Sequence, residues 1–452
     1  MKTSKYVLSY QISEESTLLI NTLTGAVDLV DSQVYRFLQS PDLGQGRIDR
    51  SMIERLKKRG YLVESDAAEE ARLQMVADTF KNSKKRLSFT ICPTYSCNLR
   101  CTYCFEGELT HNGKAFMNTA DVGLVFQAID ELMQTFGRES TIELFGGEPL
   151  LPKTKPLVEK IFKETAKRSL TIGIVTNGTY LDKFSDLLNA NRDLIRSVQI
   201  TLDGPQSVHD LRRKYADGKG TFASTRSAID TLLKIQINTA VRVNVDRQNI
   251  DLVPELYSEF IKNGWVDNPH FLCNLSPVRD HAQKGNYDYF LSEDKLVSEV
   301  FRLFENPAYK KVFQLNMLRN LAHIRSVLES GRPVQPMFHY CEANNLESMV
   351  FGPDGYIYAC TEVMGDKEHA IGEFRPTLKM YDEAVKLWNG RNVLAMGECK
   401  ECDIALLCGG GCAYSALAVN GDINKPVCNR VRETILAYLD YIRDDLAAEA
   451  SG

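Results

Sequence analysis

Two runs of alternating apolar and polar residues open the chain, Tyr6 to Ile12 and Thr17 to Val30, with Thr24-Gly25 marking a turn inside the second. Helical periodicity follows at Ser32 to Leu38 and Ser51 to Lys58, and Gly60 ends the second helix before a short Tyr61-Leu62-Val63 strand. This is the pattern of a small winged-helix module over residues 1–75, continued by a polar helix from about Glu64 to Asn82. From residue 86 onward strand and helix alternate. Strands are predicted at Leu87 to Ile91, Thr141 to Phe145, Thr171 to Val175, Val198 to Leu202, Ala240 to Val245 and Phe271 to Leu275. Helices are predicted at Val122 to Thr135, Pro156 to Lys167, Lys183 to Asn189, Ala223 to Ile235 and Val253 to Lys262. Such an α/β alternation argues for a parallel sheet, either open and doubly wound or curled into a partial (β/α)6 TIM-like barrel, with its chemistry at the carboxyl ends of the strands. After Asp280 the strand pattern is lost. Helices at Glu293 to Phe304 and Val312 to Glu329 lead to a loop-rich tail that a last helix, Arg430 to Ala448, closes. The expected division is 1–75, 86–325 and 326–452.

With 44% hydrophobic residues in 452, the chain can bury a sizeable core. A formal charge of −5 without a long basic run gives no general attraction to nucleic acid or to an anionic membrane. No stretch approaches the roughly 18 apolar residues of a membrane span, and the N-terminus lacks an apolar signal region, so the expected location is the cytoplasm. A reducing compartment makes structural disulfides unexpected for the twelve cysteines. Their distribution points to metal: none before Cys92, four from Cys92 to Cys104, Cys273 alone, and seven from Cys341 to Cys428.

The central motif is Cys97-Asn98-Leu99-Arg100-Cys101-Thr102-Tyr103-Cys104, on the loop after the first barrel strand. Three thiolates at this spacing can wrap one face of a cubane and leave its fourth iron open to a ligand; a zinc site or a ferredoxin cluster would take a fourth protein ligand. This Cys-x3-Cys-x2-Cys pattern, with an aromatic before the last cysteine, resembles the radical S-adenosylmethionine superfamily. The resemblance implies a [4Fe-4S] cluster on Cys97, Cys101 and Cys104 that binds S-adenosylmethionine and cleaves it to a 5′-deoxyadenosyl radical. Further matches follow in chain order. Gly146-Gly147-Glu148-Pro149 resembles the family's glycine-rich motif, in which Glu148 and nearby backbone take the methionine amino group. Thr176-Asn177-Gly178-Thr179 and Thr201-Leu202-Asp203-Gly204-Pro205 resemble loops that touch the ribose and carboxylate, with Arg213 the expected carboxylate contact. Asn177 or Asp203 could instead hold structure, and Tyr103 could contact the adenine or merely pack.

The tail reads Cys341-x13-Gly355-x4-Cys360, Cys399-x2-Cys402-x5-Cys408-x3-Cys412 and Cys428. It resembles the C-terminal SPASM extension of radical enzymes that modify peptides. That resemblance implies one auxiliary [4Fe-4S] cluster on Cys399, Cys402, Cys408 and Cys428, and a second on Cys341, Cys360 and Cys412, making three clusters in all. The second set is one ligand short, a place that Cys273, another group or a substrate thiolate would fill. A zinc ribbon on Cys399 to Cys412 is the plainer alternative.

The order of modules resembles that of peptide maturases that join a cysteine sulfur to carbon as a thioether. It implies a ribosomally made precursor peptide whose leader adds a strand at the edge of residues 5–30, and an electron donor such as flavodoxin or ferredoxin. Alternatives within the class are a formylglycine-forming sulfatase maturase and a carbon-carbon cross-linking maturase. Outside it stands an iron-sulfur electron-transfer or sensor protein. No paired carboxylates stand out in the sequence as acid and base.

Overall fold

Alternation in the first segment pairs as its periodicity demands. In the computed structural model, which describes all residues except 42–47, 82–85, 113, 137–138, 284, 286 and 452, β1 (Val7–Gln11), β2 (Ser16–Asn21) and β3 (Val27–Asp31) form an antiparallel sheet in that order. Leu8 lies opposite Ile20, and Leu18 opposite Leu29. Asp31 caps α1 (Ser32–Gln39) by accepting from the Val34 N–H, and Asp49 caps α2 (Arg50–Arg59) through Met52. Gly60, at φ 86°, ends α2 in the left-handed region. Lys2–Thr3 and Leu62–Val63 make a separate two-stranded pair. The connecting helix α3 spans Asp66–Lys81; its expected end at Asn82 lies outside the described residues.

Six parallel strands then run side by side in chain order: β4 (Leu87–Ile91), β5 (Ser140–Leu144), β6 (Thr171–Thr176), β7 (Ile195–Thr201), β8 (Thr239–Val245) and β9 (Phe271–Pro277). A doubly wound sheet reverses its order at a switch point; this one never does. With right-handed crossovers throughout, every connecting helix falls on one face and the sheet curls around the other, which is a partial barrel. Helix α4 (Thr119–Phe136) shows how the outer layer is held, burying Val122, Val125, Phe126 and Ile129 at helical spacing.

The tail departs from the expectation in three places. Strands return: β10 (Ser348–Phe351) pairs in parallel with β4, and β11 (Tyr356–Tyr358) and β12 (Ala370–Glu373) follow it antiparallel, giving eleven strands in one sheet among the described residues. The open edge of β4 needs partners for its backbone N–H and C=O groups, and a four-residue strand supplies them without leaving a readable period. The helix expected from Val312 to Glu329 is broken. Pro307–Val312 and Arg319–Ser330 are helical, but Phe313–Gln314 pairs in parallel with Cys273–Asn274 and buries Phe313. The closing helix divides at Ile442 into Val431–Tyr441 and Arg443–Ser451. The N-terminal module packs directly on this tail, with the Tyr10 hydroxyl donating to Asp440 (2.6 Å) and the Thr22 hydroxyl to the Asp403 carbonyl (3.2 Å). Among the described residues no helix is long and apolar enough to cross a membrane.

Candidate active site

Loops at the carboxyl ends of the barrel strands enclose a cavity of about 390 Å³. Its wall carries Cys97, Cys101 and Cys104 from the loop after β4, and Gly146, Gly147 and Glu148 from the loop after β5. Asn177 follows β6, Thr201 ends β7, and Arg213 reaches in from beyond the short helix Gln206–Arg212. The structure therefore brings together every S-adenosylmethionine contact expected from the sequence, Tyr103 included.

The cysteine loop is strapped in place by backbone pairing. Arg100 N–H donates to Lys214 O (2.8 Å), Thr102 N–H to Arg212 O (3.0 Å), and Ala216 N–H to Asn98 O (3.2 Å). That strap sets the Arg213 charge beside Cys101. Gly147 makes the next contact possible, because a Cβ there would stand 2.3 Å from Tyr95 O and 2.6 Å from Ser96 O. Glu148, 1% exposed, is aimed by three donors: the Thr176 hydroxyl (2.6 Å), Leu150 N–H (2.8 Å) and Asn177 N–H (2.7 Å). Burial pushes its carboxyl up, and those hydrogen bonds pull it back toward the charged form.

Two adjacent arginines divide the labour. Arg212, 2% exposed, donates to Asp246 (2.6 Å) and Asp203 (3.4 Å), and its guanidinium lies 4.9 Å from the centre of the Tyr103 ring. Tyr103 donates its hydroxyl to Asp203 and accepts from Arg213 (2.9 Å) and Asn244 (3.1 Å). Asp203, wholly buried, is thus a structural hub, whereas Arg213 lines the cavity and keeps a buried Nε without a partner among the described residues. Asn177 also holds structure, giving its amide to Asn98 (2.9 Å) and accepting from Thr179.

His209 anchors the same segment. Its Nδ1 accepts from Asp203 N–H (3.2 Å), and its Nε2 faces the Thr221 hydroxyl (3.0 Å), which itself donates to Arg213 O. Burial first, then the Arg213 charge, lowers it from 6.5 to about 4, so the folded protein holds it neutral. Below the unfolded value the unfolded chain binds a proton that the folded one refuses, and stability falls with pH. Between about pH 7.5 and about pH 5.5 the protein loses about 1.4 kcal/mol more than a His209→Gln variant. Urea unfolding of both proteins at the two pH values measures this difference.

Ten of the twelve cysteines fall into three sets, within which members act on one another. Cys97 and Cys104 are pushed up to about 12, first by burial and then by neighbouring thiols or Glu148. Cys399 and Cys408, raised to about 11 mainly by burial, sense Cys402 and Cys428. Cys341 at about 11 senses Cys412, and Cys360 senses both. Arg391, fully buried, lies within reach of both tail sets and donates to Ile423 O and Gly410 O. Among the described residues no three His, Cys, Asp or Glu side chains converge as a single ion requires; in a cubane each thiolate addresses a different iron. Cys273 belongs to neither tail set. It sits on β9, wholly buried in the hydrophobic core, which argues against it as the missing ligand of the Cys341, Cys360 and Cys412 set.

The donor set fits the implied groups. Buried thiols held as neutral as these need a strongly cationic centre to become thiolates, and Arg213 Nε has a free N–H for a carboxylate. Residues 91–260 match the model of the Radical SAM superfamily. The chain carries a radical SAM domain. Among its relatives, the cysteine-type anaerobic sulfatase-maturating enzyme of Clostridium perfringens is 27% identical over 350 residues, covering 72% of this chain and 88% of that protein. The serine-type enzyme of Klebsiella aerogenes is 24% identical over 335 residues, covering 70% and 77%. The solved structure described as native anSMEcpe with bound AdoMet shares the fold over 81% of this chain and 100% of its own, with 21% identity and a TM-score of 0.62. Streptococcus suis SuiB shares it over 95% and 99%, with 14% identity and a TM-score of 0.57.

Sequence reasoning missed several residues on the radical SAM cavity wall. Arg242, Asn244, Gln199, Arg279, His281, Glu106 and Glu362 all line it. Arg242 had a signal, a charge between Val241 and Val243 in an otherwise apolar strand. Glu106 and Glu362 are two buried carboxyl groups that no spacing in the sequence had singled out. They are electrostatic neighbours, with burial and Glu362 pushing Glu106 up to about 8.

Proposed function

We propose that this radical SAM enzyme matures a ribosomally made precursor peptide by joining a cysteine sulfur to a carbon as a thioether. The observation that carries this reading is that the cavity walled by one cysteine set is also walled by residues directly following a member of another. Cys97, Cys101 and Cys104 form one wall, and Thr361 and Glu362, directly after Cys360, form part of another. A peptide in that space lies between the site of radical generation and the Cys341, Cys360 and Cys412 set. Among the described residues no further strand pairs with the outer edge of β3, which supports leader docking by strand addition there. Two comparisons agree with a peptide substrate: a SuiB structure is described as bound to precursor peptide SuiA, and an anSMEcpe structure as bound to AdoMet and the Cp18Cys peptide.

Cys97, Cys101 and Cys104 would hold a [4Fe-4S] cluster, Cys399, Cys402, Cys408 and Cys428 a second, and Cys341, Cys360 and Cys412 a third with one open position. When bound and reduced by a donor such as flavodoxin or ferredoxin, the first cluster and S-adenosylmethionine supply a hydrogen-abstracting carbon radical. Glu148 would accept the cofactor's ammonium, and Arg213 would donate to its carboxylate. Thr201 and the Asn177 segment, both on the cavity wall, would take the ribose. The sealed Arg212, Asp203 and Asp246 cluster keeps Arg213 and Tyr103 in place on the cavity wall.

Coexpression with a cysteine-rich small peptide encoded beside this protein, followed by mass spectrometry, tests the reading. A loss of two hydrogens per cross-link, with the cysteine no longer alkylatable, is the expected result. A cysteine that loses its sulfur and gains an aldehyde would assign the formylglycine reaction instead, and an unmodified peptide would sink the proposal.

A further inference from the structure

Three arginines line the main cavity: Arg213, Arg242 and Arg279. Arg213 is given above to the cofactor's carboxylate, and Arg279 is matched by Glu293, whose carboxylate it meets at 2.9 and 2.7 Å. Arg242 has no such use. It stands in the middle of β8, where Val241 and Val243 are buried on the outer face, so its side chain shares the inner face with Asn244. Among the described residues its one side-chain hydrogen bond runs from Nε to Asn244 Oδ1 (2.7 Å), which leaves both Nη groups of the guanidinium fork unspent. Its neighbours in register are neutral. Thr201 of β7 and Asn274 of β9 lie level with it, and Ser276 lies level with Asn244. Asn274 Oδ1 and Ser276 Oγ are buried with no partner among the described residues, the two side chains being 9% and 1% exposed. The nearest carboxyl groups are engaged elsewhere: Asp203 with Arg212 and Tyr103, and Glu362, which Arg242 influences across the cavity, with His281 at 3.8 Å.

A guanidinium enclosed among neutral groups is an uncompensated charge, costly to bury until an anion completes it. Its planar fork of N–H donors matches a carboxylate through two parallel hydrogen bonds. That charge is permanent, so the match does not depend on the protonation of any carboxyl group in the cavity. β8 also stands four strands away from β4, whose loop carries Cys97, Cys101 and Cys104. We propose that Arg242 is a substrate-binding residue whose guanidinium takes a carboxylate of the substrate peptide. An acidic side chain and the peptide's terminal carboxylate offer it the same chemistry. The Ser276 hydroxyl and the Asn274 amide rotate to supply further donors on the same face of the sheet. This rests on the peptide reading above and deepens it by naming the group the substrate presents. A neutral amide of the same shape would leave the charge unmatched.

S-adenosylmethionine also carries a carboxylate, so the test holds it constant. Four synthetic hexapeptides of alanine with one cysteine and one variable position, glutamate or glutamine, each with a free or an amidated C-terminus, are titrated by calorimetry into anaerobically reconstituted holoenzyme saturated with S-adenosylmethionine. A carboxylate should strengthen binding about tenfold over its amide. Preference for glutamate with the terminus amidated assigns a side chain, and preference for the free terminus with glutamine assigns the chain end. Arg242→Met should reduce the preference to about twofold or less, and Arg242→Lys, which keeps the charge without the fork, to about threefold, both with unchanged affinity for S-adenosylmethionine. Because the native charge is unmatched, Arg242→Met should leave the urea midpoint unchanged or raised, where an arginine that only held structure would lower it. No preference for a carboxylate, or no binding of any peptide at about 1 mM, overturns the proposal and leaves the polar pocket to water. A preference that survives in Arg242→Met overturns it too, as does a tenfold loss of S-adenosylmethionine affinity in that variant, since the carboxylate served would then be the cofactor's. If Arg242→Met fails to hold its iron, the wild-type comparison and Arg242→Lys decide alone. Binding requires no turnover, so an unmodified peptide on coexpression counts against the proposed function, and loss of the carboxylate preference alone counts against this proposal.

Discussion

Replacing Cys101 with serine lowers 5′-deoxyadenosine formation from S-adenosylmethionine by more than about 100-fold, the upper end of what losing a group that only supports a ligand costs. The loss is large because Cys101 lies between two fellow thiols and beside Arg213 on the cavity wall, where the chain offers no substitute donor. A triple replacement of Cys97, Cys101 and Cys104 lowers bound iron by about a third, one cubane of the three proposed. Cys273→Ala leaves iron content unchanged, because that thiol is wholly buried within a strand of the barrel core. Anaerobic reconstitution, iron quantitation and chromatographic detection of deoxyadenosine measure these outcomes. Undiminished cleavage in the Cys101 variant would remove the basis of the assignment.

The second large effect separates two neighbours in the chain. Arg212→Met strands Asp203 and Asp246, both fully buried, and should cost about 3–5 kcal/mol of stability, the usual result of removing one partner from a buried charged pair. Arg213→Met removes a side chain that, among the described residues, hydrogen-bonds one side chain, Tyr103, and keeps an Nε without a partner. Its cost should fall on S-adenosylmethionine affinity, weakened about tenfold or more, which matches one lost charge-assisted hydrogen bond. Chemical denaturation and cofactor titration of the two variants give the contrast. Equal losses of stability would mean that Arg213 is another member of the sealed cluster.

Much of the site was legible because its signals are local. The three cysteines share one loop, the Gly146-Gly147-Glu148 turn is contiguous, and each follows a strand whose alternation is plain. What stayed hidden depends on contacts between distant segments. Glu106 and Glu362 become neighbours only when β10 joins β4 and brings the segment after Cys360 to the mouth of the barrel. Short strands such as Ser348–Phe351 and Phe313–Gln314 were missed because two to four residues cannot display a period; sheet pairing, not propensity, makes them strands.

Residue types and their spacings were therefore enough to determine the radical SAM motif, the parallel alternation and the presence of two cysteine-rich zones. Those features are set by a loop's own length and by side-chain periodicity within one element. Only the tertiary structure decided that the strands run in unbroken order as a partial barrel, that Cys273 stays in the core, and that Arg212 seals while Arg213 faces the cavity. Sheet closure and charge neutralisation act through space, between groups whose separation along the chain says nothing of their distance in the fold.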